Sequence, residues 1–327
     1  MDKFIVKTEG IKMFIDRLIE SIQEKNNPTV VGLDPKMEYI PAFIRDKAFK
    51  EFGINLKGCA EAIIEFNKMI IDSIYDLVPA VKPQLAYYEM YGVDGIYAFD
   101  ETCKYAKSKG LIIIADGKRN DIGTTAEAYS NAFLGITEID KQIKQKAFDV
   151  DALTVNPYLG EDGIKPFIND CINNEKGIFV LVKTSNKSSG QLQDLVTQNC
   201  KSIYEIMAGY VHEWGKPVIC KYGYSSVGAV VGATYPNQAK LLRSIMKKAY
   251  ILVPGYGAQG GTARDCVNSF QKDRLGAIVN ASRSVMCAYK SDIWKNEYTE
   301  QKFAEASRAE VIRMKDDLNS ALNEGLA

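Results

Sequence analysis

LIIIADGKRND, at residues 111–121, is the stretch of sequence that says most about the fold. Its first residues are continuously apolar until Asp116, which is typical of a strand covered on both faces in a parallel sheet. Similar runs occur at residues 29–34, 79–84, 151–156, 177–183, 227–232, 250–254 and 277–280. Helical periodicity lies between the runs, for example at residues 60–77, 94–109 and 125–148. Eight β-α units without a break in composition predict a single parallel eight-stranded (β/α)8 TIM barrel.

The length of the chain leaves room for additions to such a barrel. A TIM barrel commonly fills roughly 250 residues, and this chain has 327. We expect one domain over residues 1–327, with an N-terminal helix, a long insertion around residues 185–226 and a C-terminal helix. The insertion follows the fifth predicted strand and opens with the polar NKSSGQLQD, so it is a candidate lid. The stretch 299–322 is charged with helical spacing, and we expect it to pack outside the barrel.

Composition excludes several classes of protein. The chain has 41 Lys and Arg against 41 Asp and Glu and is 46% hydrophobic, a globular profile without a net field for nucleic acid or an anionic membrane. Five carboxylates among the first thirty residues and the lack of a long apolar run argue against a signal peptide and a membrane span. The seven cysteines include no CxxC pair, so we expect neither disulfides nor a zinc site, and a cytoplasmic location.

Charged residues stand at the ends of the first three predicted strands. Asp34 ends the first run, Lys82 lies in the second, and Asp116 is followed by Lys118 and Asp121. In a TIM barrel these strand ends meet at the active-site face, and a buried charge there needs a partner. Asp116 and Lys118 are two residues apart and would face the same side of an extended strand. A lysine flanked by carboxylates keeps its ammonium form and suits proton donation, although a pair that only rigidifies the barrel is the alternative interpretation.

A glycine-rich loop follows the seventh predicted strand. PGYGAQGG, at residues 254–261, precedes a predicted helix cap at Thr262, and the eighth strand ends in NASR at residues 280–283. Glycines let backbone N–H groups approach an anion, and the loops after strands seven and eight form the recurring phosphate site of these barrels. Arg283 would add a charge-assisted contact. The alternative is a tight turn beside a surface arginine.

Two further features bear on the chemistry. KTSN, at residues 183–186, ends the fifth predicted strand with hydroxyl and amide groups suited to the edge of a polar heterocycle, although by itself it is typical of an ordinary polar loop. His212 is the only histidine and lies in a helical context, YVHEW. Acid–base catalysis by histidine and ligation of a metal by several histidines are therefore not expected.

Together these motifs resemble the orotidine 5′-phosphate decarboxylase family over almost the whole chain. The family's D-x-K-x-x-D-I-G signature is present as Asp116, Lys118, Asp121, Ile122 and Gly123. Supporting matches are GLDP at 32–35, KPQ at 82–84, KTSN at 183–186, PGYGAQ at 254–259 and the pair Ser282 and Arg283. The GLDP and PGxGAQ versions are similar to a longer subgroup of bacteria and parasites. Asn120 departs from the pattern, because similar sequences often have a small residue there.

The resemblance implies decarboxylation of orotidine 5′-phosphate to UMP, the last step of de novo pyrimidine synthesis, without a metal or cofactor. It implies a catalytic network of Lys82, Asp116, Lys118 and Asp121, in a homodimer whose neighbouring subunit supplies Asp121 and Thr125. Asp34 and Lys82 would bind the ribose region, Ser185 the pyrimidine edge, and Gln259 with Arg283 the phosphate. The substrate-binding set that it implies is Asp34, Gln84, Thr125, Ser185, Asn186, Pro254, Gly257, Gln259, Ser282 and Arg283.

Two alternatives share parts of this pattern. A magnesium-dependent sugar-phosphate decarboxylase or aldolase of the same superfamily also has D-x-K-x-x-D, but it needs carboxylates for its metal. A non-catalytic sensor of phosphorylated ligands would keep Arg283 and the glycine-rich loop but has no need of Lys118 between two carboxylates. Sensitivity to EDTA separates the first alternative from the decarboxylase, and ligand binding without turnover would favour the second.

Overall fold

The computed structural model describes residues 12–257 and 260–326 of the chain. Within these ranges the barrel strands are β1 (Thr29–Leu33), β2 (Ala80–Pro83), β3 (Ile112–Arg119), β4 (Ala152–Val155), β5 (Gly177–Lys183), β6 (Ser225–Val231), β7 (Ala249–Val253) and β8 (Ala277–Ala281). They form a closed barrel in the order β1-β8-β7-β6-β5-β4-β3-β2. Each of the eight predicted runs contains or overlaps one strand, and the (β/α)8 prediction is confirmed.

Helices follow the strands in the alternation that the sequence predicts. In the described residues they are α1 (Phe14–Lys25), α2 (Ala42–Phe52), α3 (Leu56–Ile74), α4 (Ala86–Glu89), α5 (Gly92–Ser108), α6 (Gly123–Phe133), α7 (Lys165–Asn173), α8 (Gly190–Gln193), α9 (Ile203–Trp214), α10 (Pro236–Ile245), α11 (Ala263–Val267), α12 (Arg283–Met286) and α13 (Phe303–Gly325). Short 3-10 helices lie at Met37–Tyr39, Glu161–Gly163, Lys187–Ser189, Lys216–Val218, Ala288–Lys290 and Glu300–Lys302. Across the described ranges, no helix is long and apolar enough to cross a membrane.

The chain divides into two compact units. The described part of the first unit comprises residues 12–20, 118–253 and 268–277, and includes β4 to β7. The second unit comprises residues 21–117, 254–267 without 258–259, and 278–326, and includes β1, β2 and most of β3 and β8. The expectation of one domain over residues 1–327 stays a prediction.

The first unit contains four neighbouring parallel strands that are buried along almost their entire length. Thr154 of β4 pairs with Phe179 of β5, and Val180 of β5 pairs with Ala229 of β6. The predicted N-terminal helix is present, and Phe14 at its start packs edge-on against Phe179, with the ring centroids 6.0 Å apart. Burial on both faces explains why the strands read as continuous apolar runs.

In the second unit, β1 lies between β8 and β2. Val30 pairs with Asn280 on one side and with Ala80 on the other. The predicted C-terminal helix is also present, and its first residue, Phe303, stacks on Phe66 of α3 with the ring centroids 5.1 Å apart. This contact packs α13 against a neighbouring helix.

One expectation about a segment needs correction. The helix predicted at residues 125–148 ends at Phe133, and residues 137–138 and 144–145 form a small antiparallel hairpin instead. Gly135 follows the helix, and a Cβ there would lie 2.7 Å from Oδ2 of Asp170, so glycine is required at this position. The candidate lid at 185–226 contains α8, α9 and two 3-10 helices, and its role as a lid stays a prediction.

Candidate active site

A buried ion pair joins the ends of β2 and β3. Lys82 donates a hydrogen bond of 2.7 Å from Nζ to Oδ2 of Asp116, and the two residues are 4% and 8% exposed. Gln84 donates from Nε2 to the same oxygen at 2.9 Å. The backbones of Gln84 and Asp116 also form a bridge, which extends the pairing of the two strands. The fold brings these three residues together and holds the Asp116 carboxylate by two donors.

The charge of Lys82 is maintained by carboxylates. Burial lowers the pKa of the Lys82 ammonium, but the charges of Asp116 and Asp34 and the hydrogen bond to Asp116 outweigh it, so that this pKa is raised above its usual value. Lys82 therefore stays protonated at neutral pH. A positive charge is fixed in the interior at the strand end, where water cannot screen it.

Asp34 directly follows β1, and hydrogen bonds to the backbone of Asp34 and of Leu33 hold this strand end. Its backbone N–H lies 3.1 Å from the sulfur of Met286. One residue earlier, the Leu33 carbonyl accepts a hydrogen bond of 3.3 Å from the hydroxyl of Tyr88, which in turn accepts from Asn67 at 2.9 Å. Burial raises the pKa of Tyr88 well above its usual value, so the hydroxyl remains a donor. The position of Asp34 is thus set by groups within the second unit.

Lys118 has an unusual backbone conformation at the end of β3. Its φ is +46°, in the left-handed region that residues other than glycine rarely adopt. The backbone N–H of Lys118 donates to Oγ1 of Thr154 at 2.9 Å, and the side chain is exposed. The expectation of an extended strand from Asp116 through Lys118 is therefore wrong at the lysine itself. Such conformations persist where surrounding contacts enforce them, and they concentrate at functional sites.

Asp121 lies in the short turn between β3 and α6. Oδ1 of Asn120 accepts from the Asp121 N–H at 2.9 Å, and Oδ1 of Asp121 accepts from the Ile122 N–H at 2.8 Å. A side chain at Gly163 would overlap Oδ1 of Asn120. Gly163 thus provides the room for Asn120, the residue that departs from the family pattern. Thr125 follows in the first turn of α6 and is exposed.

Ser185 and Asn186 follow β5, and the backbone carbonyl of each accepts a hydrogen bond from a hydroxyl group. The Ser185 carbonyl accepts from Oγ1 of Thr234 at 3.3 Å, and the Asn186 carbonyl accepts from the hydroxyl of Tyr235 at 3.2 Å. A Cβ on Gly232 would lie 2.8 Å from Cα of Ser185, so glycine is required for this close approach. The Asn186 side chain is exposed, as a residue that contacts a ligand would be.

The glycine-rich loop begins at Pro254, directly after β7. Positive φ angles occur at three glycines of this loop, Gly255, Gly257 and Gly260. The predicted cap is present, because Oγ1 of Thr262 accepts from the Asp265 N–H at 3.3 Å while the Asp265 carboxylate accepts from the Thr262 N–H at 2.9 Å. Gln259, a predicted phosphate ligand, lies outside the described residues.

Ser282 and Arg283 follow β8 and begin α12. A side chain at Gly32 of β1 would overlap Oγ of Ser282, so this glycine lets the two strand ends meet. Asn280 donates from Nδ2 to Oγ of Ser282 at 3.3 Å, and its Oδ1 is buried with no hydrogen-bond partner among the described residues. Arg283 itself is exposed.

Sequence reasoning missed three residues that shape these strand ends. Thr154 and Gly163 support the turn around Lys118 and Asp121, and Asn280 underlies Ser282. The polar position of Asn280 within an otherwise apolar strand is a signal that could have identified it. His212 lies in the last turn of α9 and makes none of the contacts described above.

The family relationship follows from a comparison with known proteins. The family model described as "Orotidine 5'-phosphate decarboxylase / HUMPS family" matches residues 28–292, which include all the strands of the barrel. The chain belongs to this family. Its D-x-K-x-x-D-I-G motif and both predicted phosphate loops fall inside the matched region.

Individual members of the orotidine 5′-phosphate decarboxylase family are similar over nearly the full length. The chain is 42% identical over 310 residues to the orotidine 5′-phosphate decarboxylase of Caldicellulosiruptor bescii, and the match covers 95% of this chain and 99% of that protein. The Leishmania donovani OMP decarboxylase structure has a TM-score of 0.71 at 25% identity, and the match covers 95% of this chain and 99% of that chain. The UMP synthase structure of the same organism has a TM-score of 0.72 at 27% identity, and the match covers 95% of this chain but 57% of that longer chain.

Proposed function

We propose that this chain decarboxylates orotidine 5′-phosphate to UMP without a metal or organic cofactor. The observation that carries the proposal is the buried pair of Lys82 and Asp116, which leads along β3 directly into Lys118. The names of its relatives support the same reaction. With seven free cysteines, the chain also suits the reducing cytoplasm, where nucleotide synthesis would take place.

The chemistry requires electrostatic stabilisation. Loss of CO₂ from C6 of the pyrimidine leaves a carbanion. No carbonyl of the ring is placed to delocalise its electron pair. An ammonium group held near C6 can stabilise the developing charge and then protonate the carbon. We assign this role to Lys118, with Asp116 and Asp121 orienting its side chain, and Lys82 completing the alternation of charges. The enforced backbone of Lys118 supports the assignment because it fixes the starting point of the side chain.

The remaining strand ends supply the substrate contacts. We infer that Asp34 and Lys82 bind the ribose region and that Ser185 and Asn186 bind the pyrimidine edge. Arg283 and the glycine-rich loop would bind the phosphate, with contributions from the other predicted residues, Gln84, Pro254, Gly257, Gln259 and Ser282. Binding energy from the phosphate, remote from C6, would hold the substrate in the charged site.

We infer a homodimer in which each active site receives Asp121 and Thr125 from the partner subunit. Apolar side chains exposed in this part of the first unit support the inference. Ile122 directly follows Asp121 and is 56% exposed, and Tyr158 and Leu159, in the segment that precedes Gly163, are 77% and 49% exposed. Exposed apolar groups of this kind mark surfaces that associate.

Loss of orotidine 5′-phosphate absorbance, measured with purified protein in EDTA, tests the function. Turnover that is unchanged by EDTA supports the proposal. Activity on a sugar phosphate that EDTA abolishes would instead identify the magnesium-dependent enzyme of the superfamily. Tight binding of the nucleotide without any turnover would identify a sensor.

A further inference from the structure

Lys183, the last residue of β5, is a fully buried lysine outside the network of β2 and β3. Its Nζ donates to Oδ1 of Asp194 at 2.6 Å and to Oγ of Ser189 at 3.2 Å, and it lies 4.5 Å from the ring centroid of Tyr235. The strand pairing shifts between Leu181 and Lys183, an irregularity that re-aims side chains. The lysine is thereby directed at the loop that follows its own strand.

The segment of residues 184–194, which we name the 184–194 loop, is closed at its base by two sets of contacts. One is the ion pair of Lys183 with Asp194. The other is Gln193, whose Oε1 accepts from the Thr184 N–H at 3.0 Å and whose Nε2 donates to Oγ1 of Thr184 at 2.8 Å. Gly190 belongs to the same closure, because a Cβ there would lie 2.6 Å from Oδ2 of Asp194.

The loop carries the two residues assigned to the pyrimidine edge. Oγ1 of Thr184 donates to Oδ1 of Asn186 at 2.7 Å, so the closure at Thr184 reaches the Asn186 side chain directly. Tyr235 connects the two parts of the network, since its hydroxyl accepts from Ser189 at 3.3 Å and donates to the Asn186 carbonyl at 3.2 Å. A chain of short contacts therefore runs from Lys183 to the position of Asn186.

We propose that Lys183 is a positioning residue that sets substrate affinity by holding the 184–194 loop, and with it Ser185 and Asn186, in the binding conformation. This proposal rests on the proposed function, which makes those two residues substrate ligands. Lys183 has no exposed surface, so it acts through the loop. Its charge matters because a buried ammonium must keep its carboxylate and aromatic partners close, whereas a neutral side chain has no such requirement.

The same strand supplies a matched control. Lys176, immediately before β5, is 4% exposed and donates to Oδ1 of Asp149 at 2.8 Å. Lys176→Met and Lys183→Met each remove a buried lysine from an aspartate at opposite ends of one strand. A general loss of stability would affect both variants, but loss of loop position would affect only the second.

The test combines turnover of orotidine 5′-phosphate with tryptic cleavage after the exposed Lys187. We expect Lys183→Met to raise KM by about tenfold or more, with a smaller change in kcat, and to accelerate cleavage. Asp194→Ala, whose side chain is half-exposed and whose loss is more easily tolerated, should act in the same direction. In a Ser185→Ala/Asn186→Ala background, Lys183→Met should add little, because its effect passes through those residues.

The outcomes separate this proposal from the proposed function. If the wild-type protein does not turn over orotidine 5′-phosphate, the proposed function and the role of Lys183 in substrate affinity are both wrong. This holds even where cleavage after Lys187 shows that Lys183 closes the loop. If the wild type is active, the role of Lys183 is overturned by equal effects of Lys176→Met and Lys183→Met on KM. It is equally overturned by an Asp194→Ala variant with wild-type KM, or by full additivity with the Ser185→Ala/Asn186→Ala change.

Discussion

Replacing Asp116 with Asn should destabilise the protein as well as inactivate it. The change keeps the size of the side chain but leaves the buried Lys82 ammonium without the carboxylate that lies 2.7 Å away. Breaking a buried ion pair from one side commonly costs about 3–5 kcal/mol. Because Asp34 also raises the pKa of Lys82, we expect the lower end of that range. For a chain of this length the melting temperature should fall by roughly 4 °C.

A second substitution separates the unpaired charge from the loss of contacts. In Lys82→Met/Asp116→Asn the buried ammonium is gone, so most of the lost free energy of unfolding should return, while activity stays abolished. Both quantities can be measured by urea unfolding and by the orotidine 5′-phosphate assay on the same samples. A double variant as unstable as Asp116→Asn would refute this reasoning, as would an Asp116→Asn protein with wild-type stability.

The pH dependence of the same pair has a definite sign. In the wild type the pKa of Lys82 is raised, so the pair stabilises the fold below the pKa of the unfolded lysine and loses this effect as the pH rises through the folded-state pKa. In Asp116→Asn, burial becomes the dominant influence and lowers the pKa of Lys82. The difference in free energy of unfolding between the variant and the wild type should therefore shrink as the pH is raised from neutral to about 10. A constant difference over that interval would contradict the assigned charge.

Three further predictions concern the chemistry directly. Lys118→Ala should fold normally, as judged by circular dichroism, and lose at least about 10²–10⁴-fold in kcat, because one group supplies both proton transfer and electrostatic stabilisation. Arg283→Ala should raise KM steeply, and orotidine without its phosphate should lose several orders of magnitude in kcat/KM; equal kcat/KM for both substrates would rule out a role for the phosphate. Mixed Lys118→Ala and Asp121→Ala subunits should recover roughly a quarter of wild-type activity, because about half the dimers are hybrids with one intact site of two. If mass spectrometry confirms subunit exchange and no activity returns, Asp121 acts within its own chain.

The fold could be predicted because a strand that is buried on both faces has a continuously apolar sequence. Runs such as residues 177–182 are apolar throughout, and a charged residue at the end of such a run is conspicuous. Asp34, Lys82 and Asp116 were found in this way. The same reasoning placed Thr262 as a helix cap, because capping depends on a local spacing of residue types.

What could not be predicted depends on contacts between segments far apart in the sequence. The φ of +46° at Lys118 is enforced partly by Thr154, 36 residues away, and periodicity carries no information about such a bond. The room that Gly163 leaves for Asn120 is equally non-local.

The charged residues at the strand ends divide into two kinds by their burial. Lys82 and Asp116 are buried and hydrogen-bonded to each other, so the cost of removing them from water is met during folding and no reorganisation is needed when the substrate arrives. Lys118 and Arg283 are exposed, and the backbone of Lys118 is held in a left-handed conformation. The buried pair can therefore act as a permanent electrostatic reference. Under the proposed function, the binding energy of the phosphate would come from contacts remote from C6 and would stabilise the arrangement of charges around C6.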